Sequence, residues 1–165
     1  MHFKVCNEVE IAPEKAWDLI ADFSHVQHIH PLVEKVDQLS ENETGLNAVR
    51  RCHFYNGIKV EEQIVEWNEK DMRYKIQVVK GKIPVKDMVA ELIVEEISPT
   101  RSRIIGNIHV DPKYGILGQL MARFAMKPKF GTALGDLFSG TEYYMRTGRD
   151  VPENWHGPKP VITAS

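Results

Sequence analysis

The chain has 165 residues, which is the length of one domain with a core of its own. Hydrophobic residues make up 42% of it and charged residues 27%, so the composition excludes a disordered chain. Its 21 basic and 23 acidic residues give a net charge of -2. This balance argues against nucleic acid as a partner, because phosphate binding needs a clustered positive excess.

The two cysteines, Cys6 and Cys52, are too few and too far apart for the disulfide framework of a secreted domain. The N-terminal residues lack the apolar stretch of a signal peptide, and no run approaches the ~18 apolar residues of a membrane span. We therefore expect a reduced, cytoplasmic protein without an integral membrane segment.

The first two thirds of the chain alternate apolar and polar residues, with one short helical pattern. A strand is predicted over residues 3–11, followed by a helix over 13–23 with Pro13 in its first turn. An edge strand over 33–39 comes next. Five further alternating segments, separated by turn residues, cover 46–55, 58–67, 72–79, 88–95 and 101–110. Alternation with one apolar face is typical of half-buried antiparallel strands.

A long helical pattern follows, from about Ile116 to Gly148, where a glycine is a typical stop. Its apolar stripe comprises Leu117, Leu120, Met121, Phe124, Leu134, Phe138, Thr141 and Met145. Pro128 predicts a kink or break. Gly131 and Gly135 fall on the inward face, which favours close packing on the sheet; the alternative is space for a ligand.

These elements predict an α+β fold in which a single sheet is covered by the C-terminal helix, the only element long enough to do so. Three prolines and no periodicity in residues 151–165 predict an extended tail, either loose or lying over the surface. We therefore divide the chain into one domain over residues 1–150 and a Pro-rich tail over 151–165.

The chain contains, in order, the stretches APEKAWDLIADFSHVQHIHPLVEKV, LNAVRRCHFYNGIKVEEQIVEW and YKIQVVKGKIPVKDM. These resemble the START-like SRPBCC superfamily, and within it the bacterial polyketide cyclase/dehydrase and lipid-transport branch. The resemblance implies a helix-grip fold, as in the birch pollen allergen, with a curved seven-stranded antiparallel sheet around a long C-terminal helix. It also implies an apolar cavity between them. The superfamily includes carriers, receptors and enzymes, so the resemblance does not choose among activities.

Glu62 is the most informative candidate, because alternation directs its carboxylate toward the interior. A two-residue turn at Asn56-Gly57 would place Arg51 opposite Glu62, whereas a three-residue loop with Gly57 in the left-handed conformation would place Arg50 there. We favour the second register because it turns the more apolar residues of the strand, Cys52 and Phe54, inward.

The predicted pair of Arg50 and Glu62 has two interpretations. It is either a structural ion pair or a ligand-facing one, in which Arg50 binds an anionic or carbonyl oxygen and Glu62 a hydroxyl. The leading hypothesis is binding of a small hydrophobic ligand (a lipid, isoprenoid or polyketide-like molecule) in the cavity. The candidate ligand-binding residues are Arg50, Cys52, Phe54, Val60, Glu62, Tyr74, Ile76, Met88, Ala90, Leu92, Ile108, Gly131, Leu134, Gly135 and Phe138.

Two other hypotheses stay open. One is an enzyme of the polyketide cyclase/dehydratase type with Glu62 as general acid or base, for which only Asn7 and Tyr74 suggest a second polar group. The other is a protein-interaction module with a filled cavity. No cofactor fingerprint is present. The oligomeric state is left open between monomer and homodimer.

Three histidines, His25, His28 and His30, lie within six residues. Imidazole is a common metal ligand, but no cysteine or spaced carboxylate completes a ligand set. We therefore predict no metal site and expect these residues in a loop at the cavity mouth or on the surface.

Overall fold

The computed structural model describes residues 1–164, apart from the side chain of Ala122. One antiparallel sheet has the strand order β2-β3-β4-β5-β6-β7-β1-β8. The strands are β1 (His2–Val9), β2 (Val33–Gln38), β3 (Val49–Phe54), β4 (Lys59–Asn68), β5 (Arg73–Gly81), β6 (Val85–Ser98), β7 (Arg101–Pro112) and β8 (Val161–Ala164). The helices are α1 (Pro13–Ala21), α2 (Val26–Ile29), α3 (Gly115–Met121), a π-helical turn (Ala122–Met126) and α4 (Lys127–Thr147).

The predicted α+β helix-grip fold is confirmed, with one correction to the number of strands. The sheet has eight strands rather than seven, because the tail supplies β8. This strand runs antiparallel to β1, from the pair Cys6 and Val161 to the pair Phe3 and Ala164. The tail thus lies over the surface and hydrogen-bonds to a sheet edge that would otherwise be unpaired.

The C-terminal helix is interrupted just before Pro128, as the sequence indicates. Pro128 occupies the first turn of α4, where its missing N–H costs nothing, and the π-helical turn precedes it. Because proline cannot donate to the carbonyl four residues earlier, a regular helix cannot pass through this point. The helix ends at Gly148, which has a φ of 64° and donates its N–H to the Tyr144 carbonyl.

The apolar stripe before this break is not buried, which contradicts the predicted packing. Leu117, Leu120 and Phe124 are exposed, and α3 leads away from the core. The stripe has helical periodicity, but the part of the chain that the structure describes supplies no cover for it.

Helix α4 has two buried faces with different partners. Phe130, Ala133, Leu134 and Leu137 face the interior enclosed by the sheet. Gly131 and Gly135 instead face the tail: a Cβ on Gly135 would lie only 2.5–2.8 Å from three ring carbons of Pro160, and one on Gly131 would overlap Ile162. The glycines permit close packing, which is the interpretation that the sequence favours. Their partners, however, belong to the tail and its strand β8 rather than to the seven strands predicted.

Candidate ligand-binding cavity

A cavity of about 540 Å³ lies between α4 and the sheet. Eleven of the predicted residues line it: Arg50, Cys52, Phe54, Val60, Glu62, Tyr74, Ile76, Met88, Ala90, Leu92 and Leu134. They come from strands β3 to β6 and from α4, because alternate residues of adjacent strands face the same side of a sheet. A volume of this size is within the roughly 300–1,000 Å³ range of small-molecule pockets.

Four predicted residues do not line the cavity. Ile108 and Phe138 are fully buried and pack around Gly106, where an added Cβ would lie 3.3 Å and 3.2 Å from their side chains. Gly106 has no side chain, and the side chains of Ile108 and Phe138 fill the space beside it. The cavity therefore does not extend to this point. The other two, Gly131 and Gly135, face the tail.

Apart from Leu134, sequence reasoning missed the lining residues that the helices contribute. Ile20 of α1, Val26 and Ile29 of α2, and Met126 and Phe130 next to the helix break all contact the cavity. The apolar face of α1 signals an inward direction, but periodicity does not show which part of the sheet a short helix covers.

The register of β3 and β4 places Arg50 opposite Glu62, which confirms the second of the two predicted registers. Phe54 donates its N–H to the Ile58 carbonyl, and Gly57 has a φ of 81°, as a three-residue loop requires. Arg50 donates from Nε to Glu62 Oε2 at 2.8 Å, and its Nη2 lies 2.7 Å from the same oxygen as an ion pair.

Arg50 is fully enclosed and has partners on several sides. Its Nη1 donates to the Phe23 carbonyl oxygen at 2.7 Å, and its guanidinium lies 3.8 Å from the centroid of the Phe23 ring. Burial acts to lower the pKa of Arg50, but the acidic groups Cys52 and Glu62 outweigh it and the pKa is raised. The guanidinium is therefore a fixed positive charge in the cavity wall.

Three further polar side chains of the wall, Cys52, Tyr74 and His30, are held neutral near pH 7. Burial raises the pKa of the Cys52 thiol to about 12 and raises the pKa of Tyr74, whose hydroxyl donates to the Ile20 carbonyl at 2.7 Å. Burial, together with the nearby Arg50 charge, lowers the pKa of His30 to about 3. A buried thiol of this kind is a poor nucleophile.

The cavity opens where its lining residues become exposed. These are Asn56 and Ile58 of the β3–β4 hairpin, Pro84 of the β5–β6 loop, and Met121, Ala125 and Lys129 near the helix break. The hairpin and the loop over residues 80–85 thus flank the mouth. Arg50 lies four residues along β3 from Phe54, at about 3.3 Å per residue, so the ion pair is at the inner end.

Of the histidines predicted to share a loop, His25 and His28 lie together, with ring centroids 4.8 Å apart, whereas His30 has separate surroundings. His30 lines the cavity, His28 Nδ1 lies 2.9 Å from Asp150 Oδ1, and the His25 ring lies against Tyr144 at a centroid distance of 4.7 Å. Among residues 1–164, no group of three or more histidine, cysteine or carboxylate side chains is placed to hold a metal ion.

Asn7, one of the two groups considered as an acid–base partner for Glu62, lies outside the cavity. Its amide donates to Ser139 Oγ at 2.9 Å and to the Pro158 carbonyl at 3.3 Å, between β1, α4 and the tail. Of the two, only Tyr74 shares the cavity with Glu62.

A sheet that encloses a cavity against a long C-terminal helix defines a helix-grip protein of the START-like SRPBCC superfamily. A family model described as polyketide cyclase / dehydrase and lipid transport matches residues 2–138, and the chain belongs to this family. A search of curated proteins found no match to the sequence. Among the described residues, no helix is long and apolar enough to cross a membrane.

Solved structures of low sequence identity share the fold. The protein XoxI from Bacillus cereus has a TM-score of 0.72 and 18% identity, over 88% of this chain and 96% of that one. The di-domain ARO/CYC protein BexL of the BE-7585A biosynthetic pathway has a TM-score of 0.76 and 15% identity, over 88% and 47%. Ara h 8.0201 has a TM-score of 0.68 and 15% identity, over 89% and 98%. At these identities the similarity concerns the fold alone.

Proposed function

We propose that this protein binds a small, mainly apolar molecule in the cavity between α4 and the sheet. The observation that carries the proposal is an open cavity of about 540 Å³ whose wall is mainly apolar between the ion pair at its inner end and the polar residues Asn56 and Lys129 at its mouth. Apolar pockets with a few convergent polar groups are typical of small-molecule sites. The family's description, which includes lipid transport, is consistent with such a ligand.

The Arg50–Glu62 pair would orient the ligand. Every hydrogen bond to the Glu62 carboxylate among the described residues falls on Oε2, which leaves Oε1 to accept from a ligand hydroxyl. Arg50 offers positive charge to a carbonyl or anionic oxygen. A molecule with an apolar body and one oxygenated end therefore fits the wall best, as a fatty acid, an isoprenoid or a polyketide-like ligand does.

Binding is better supported than acid–base catalysis. General acid–base chemistry needs a group whose pKa lies near the working pH. Cys52, Tyr74 and His30 have pKa values displaced from that range by burial, and Glu62 is tied to Arg50. The interaction-module hypothesis required a filled core, and the open cavity counts against it.

Filling the cavity tests the proposal. Ala90 lines the cavity from β6, so Ala90→Phe would occupy ligand volume. We expect its affinity for the polyene fatty acid cis-parinaric acid, measured by fluorescence titration of delipidated protein, to be at least about tenfold weaker.

Val89→Phe is the matched control, because the neighbouring residue points to the other face of the sheet and should leave affinity unchanged. Equal affinities for the two variants, or no saturable binding to the unmodified protein, would contradict the proposal.

A further inference from the structure

The most exposed apolar side chains of the described chain lie together around α3. Ile116 is 82% exposed, Leu117 78% and Phe124 72%. With Tyr114 and Leu120 they form a group that we call the mouth patch: Tyr114, Ile116, Leu117, Leu120 and Phe124. Contiguous apolar surface of this kind is rare on proteins that have no partner for it.

The mouth patch lies beside the opening of the cavity. Met121 and Ala125, which alternate with patch residues along the same helical segment, line the cavity mouth. Lys113, directly before the patch, donates its backbone N–H to the Pro84 carbonyl at 3.1 Å. A surface that covered the patch would therefore also lie over the opening.

Positive charge surrounds the same opening. Residues 80–86 and 113–130, which include the mouth-lining residues of both segments, contain seven basic residues and no acidic one, whereas the rest of the chain contains 14 basic and 23 acidic residues. Of the seven, Lys80 pairs with Glu61 at 3.5 Å, and Asp87 and Asp111 lie just outside the two ranges. The contact between Lys113 and Pro84 brings the two segments together. A near-neutral protein thus has a cationic end and an acidic remainder, and the cationic end carries the apolar patch.

We propose that the mouth patch docks on the surface of an anionic phospholipid bilayer, with the cavity opening against the membrane. Apolar and aromatic side chains flanked by lysine and arginine are the combination that binds such surfaces: the apolar groups enter the interface and the cations attract anionic headgroups. Docking is supported by the mouth patch and the basic residues around it. The passage of a ligand between bilayer and cavity rests in addition on the proposed function.

Co-sedimentation of the full chain with vesicles tests docking. We expect binding to vesicles of phosphatidylcholine with phosphatidylserine, and much weaker binding to phosphatidylcholine alone. The double variant Leu117→Gln, Phe124→Gln should bind the anionic vesicles at least about tenfold more weakly, because it removes apolar anchors. Arg123→Gln with Lys127→Gln should weaken binding about fivefold for each charge removed, and added salt should weaken binding to the unmodified protein.

The matched control is Leu39→Gln with Leu46→Gln, two exposed leucines outside the patch, which should sediment like the unmodified protein. Docking is overturned if the unmodified protein does not sediment with anionic vesicles, or if the patch variant sediments equally. It is also overturned if the patch is a contact between two copies of the chain. In that case the unmodified protein would be a dimer in analytical ultracentrifugation, the patch variant would be a monomer, and neither would bind vesicles.

Fluorescence titration with cis-parinaric acid separates this proposal from the proposed function. The patch variant keeps the cavity and should retain its affinity for the free fatty acid. If the unmodified protein binds the fatty acid but does not bind anionic vesicles, docking is refuted and the cavity function stands. Vesicle binding without saturable fatty-acid binding would refute the cavity function and leave docking standing.

Discussion

Arg50 connects three parts of the structure through a single side chain. It joins β3 to β4 through Glu62, reaches the chain after α1 through the Phe23 carbonyl, and stacks on the Phe23 ring. A buried cation is stable only with such partners, since desolvation of an unpaired charge costs several kcal/mol. The neighbouring Arg51 also pairs with a carboxylate, Glu61, but on the outer face, where the Arg51 side chain is 35% exposed.

The two arginines should therefore differ in their effect on stability. Arg50→Ala leaves the Glu62 carboxylate without its counter-charge and should lower the free energy of unfolding by about 3 kcal/mol. Arg51→Ala removes a partly exposed arginine and leaves Glu61 with a second cation, Lys80, so it should cost about 1 kcal/mol or less. Urea denaturation of both variants measures the difference. Equal losses, or a larger loss for Arg51→Ala, would be incompatible with the structural role assigned to Arg50.

At the scale of elements, α4 is held between the cavity and the tail. The cavity side carries bulky residues, whereas the tail side carries Gly131, Gly135 and Ser139 at intervals of four, one face of a helix. Asp136, buried beside them, accepts from the backbone N–H of Gly157 at 3.0 Å and lies 2.7 Å from His156 Nδ1. The tail is therefore fixed by steric fit and by hydrogen bonds before it reaches β8.

Gly135→Ala should detach the tail from α4. The new methyl group would overlap the Pro160 ring, and overpacking of this kind costs about 1–3 kcal/mol. We expect faster amide exchange in β8, Val161–Ala164, measured by hydrogen–deuterium exchange. Pro160→Gly in the same chain removes the overlapping atoms and should restore part of the protection.

Thr132→Ala, at an exposed position on the same helix, is the control and should leave the exchange of β8 unchanged. Unchanged exchange in Gly135→Ala itself would show that the tail does not depend on the small side chains of α4.

At the scale of the whole molecule, local patterns predicted most of the fold. The alternation of apolar and polar residues predicted seven strands, and it directed Arg50, Glu62 and eight other candidates to the cavity. The register of a strand with one apolar face has little freedom, because a slip of one residue would turn all its apolar side chains toward solvent. The hairpin register followed from the left-handed conformation that Gly57 can adopt.

The errors concern contacts between residues far apart in sequence. Nothing near Gly131 or Gly135 indicates that Pro160 and Ile162 will pack there. Gly106 gives no local sign that Ile108 and Phe138 will fill the space beside it. Periodicity likewise predicts an apolar face on α3 but not what covers it, which is why the stripe was expected in the core.

The acid sensitivity of the whole fold should depend on His30. Its pKa is lowered from 6.5 to about 3 by burial and by Arg50, so the folded protein keeps this ring neutral while the unfolded chain takes up a proton. The contribution of His30 to the free energy of unfolding is fully present above pH 6.5 and decreases as the pH falls toward 3. The decrease should be about 1.4 kcal/mol for each pH unit. His25, whose pKa is also lowered by partial burial, adds to it.

Replacement of His30 by leucine, which has no proton to take up, should flatten this dependence above about pH 4.5, where the carboxylates begin to titrate. The measurement is the free energy of unfolding in urea as a function of pH, for the unmodified protein and for His30→Leu. Its slope against pH is informative even if the substitution changes the stability at neutral pH. Thr132, an exposed residue without a titratable group, provides the control, since Thr132→Leu should leave the slope as it is. Parallel pH profiles for His30→Leu and the unmodified protein would mean that the His30 ring is protonated in the folded state, and hence that the inner wall of the cavity admits water.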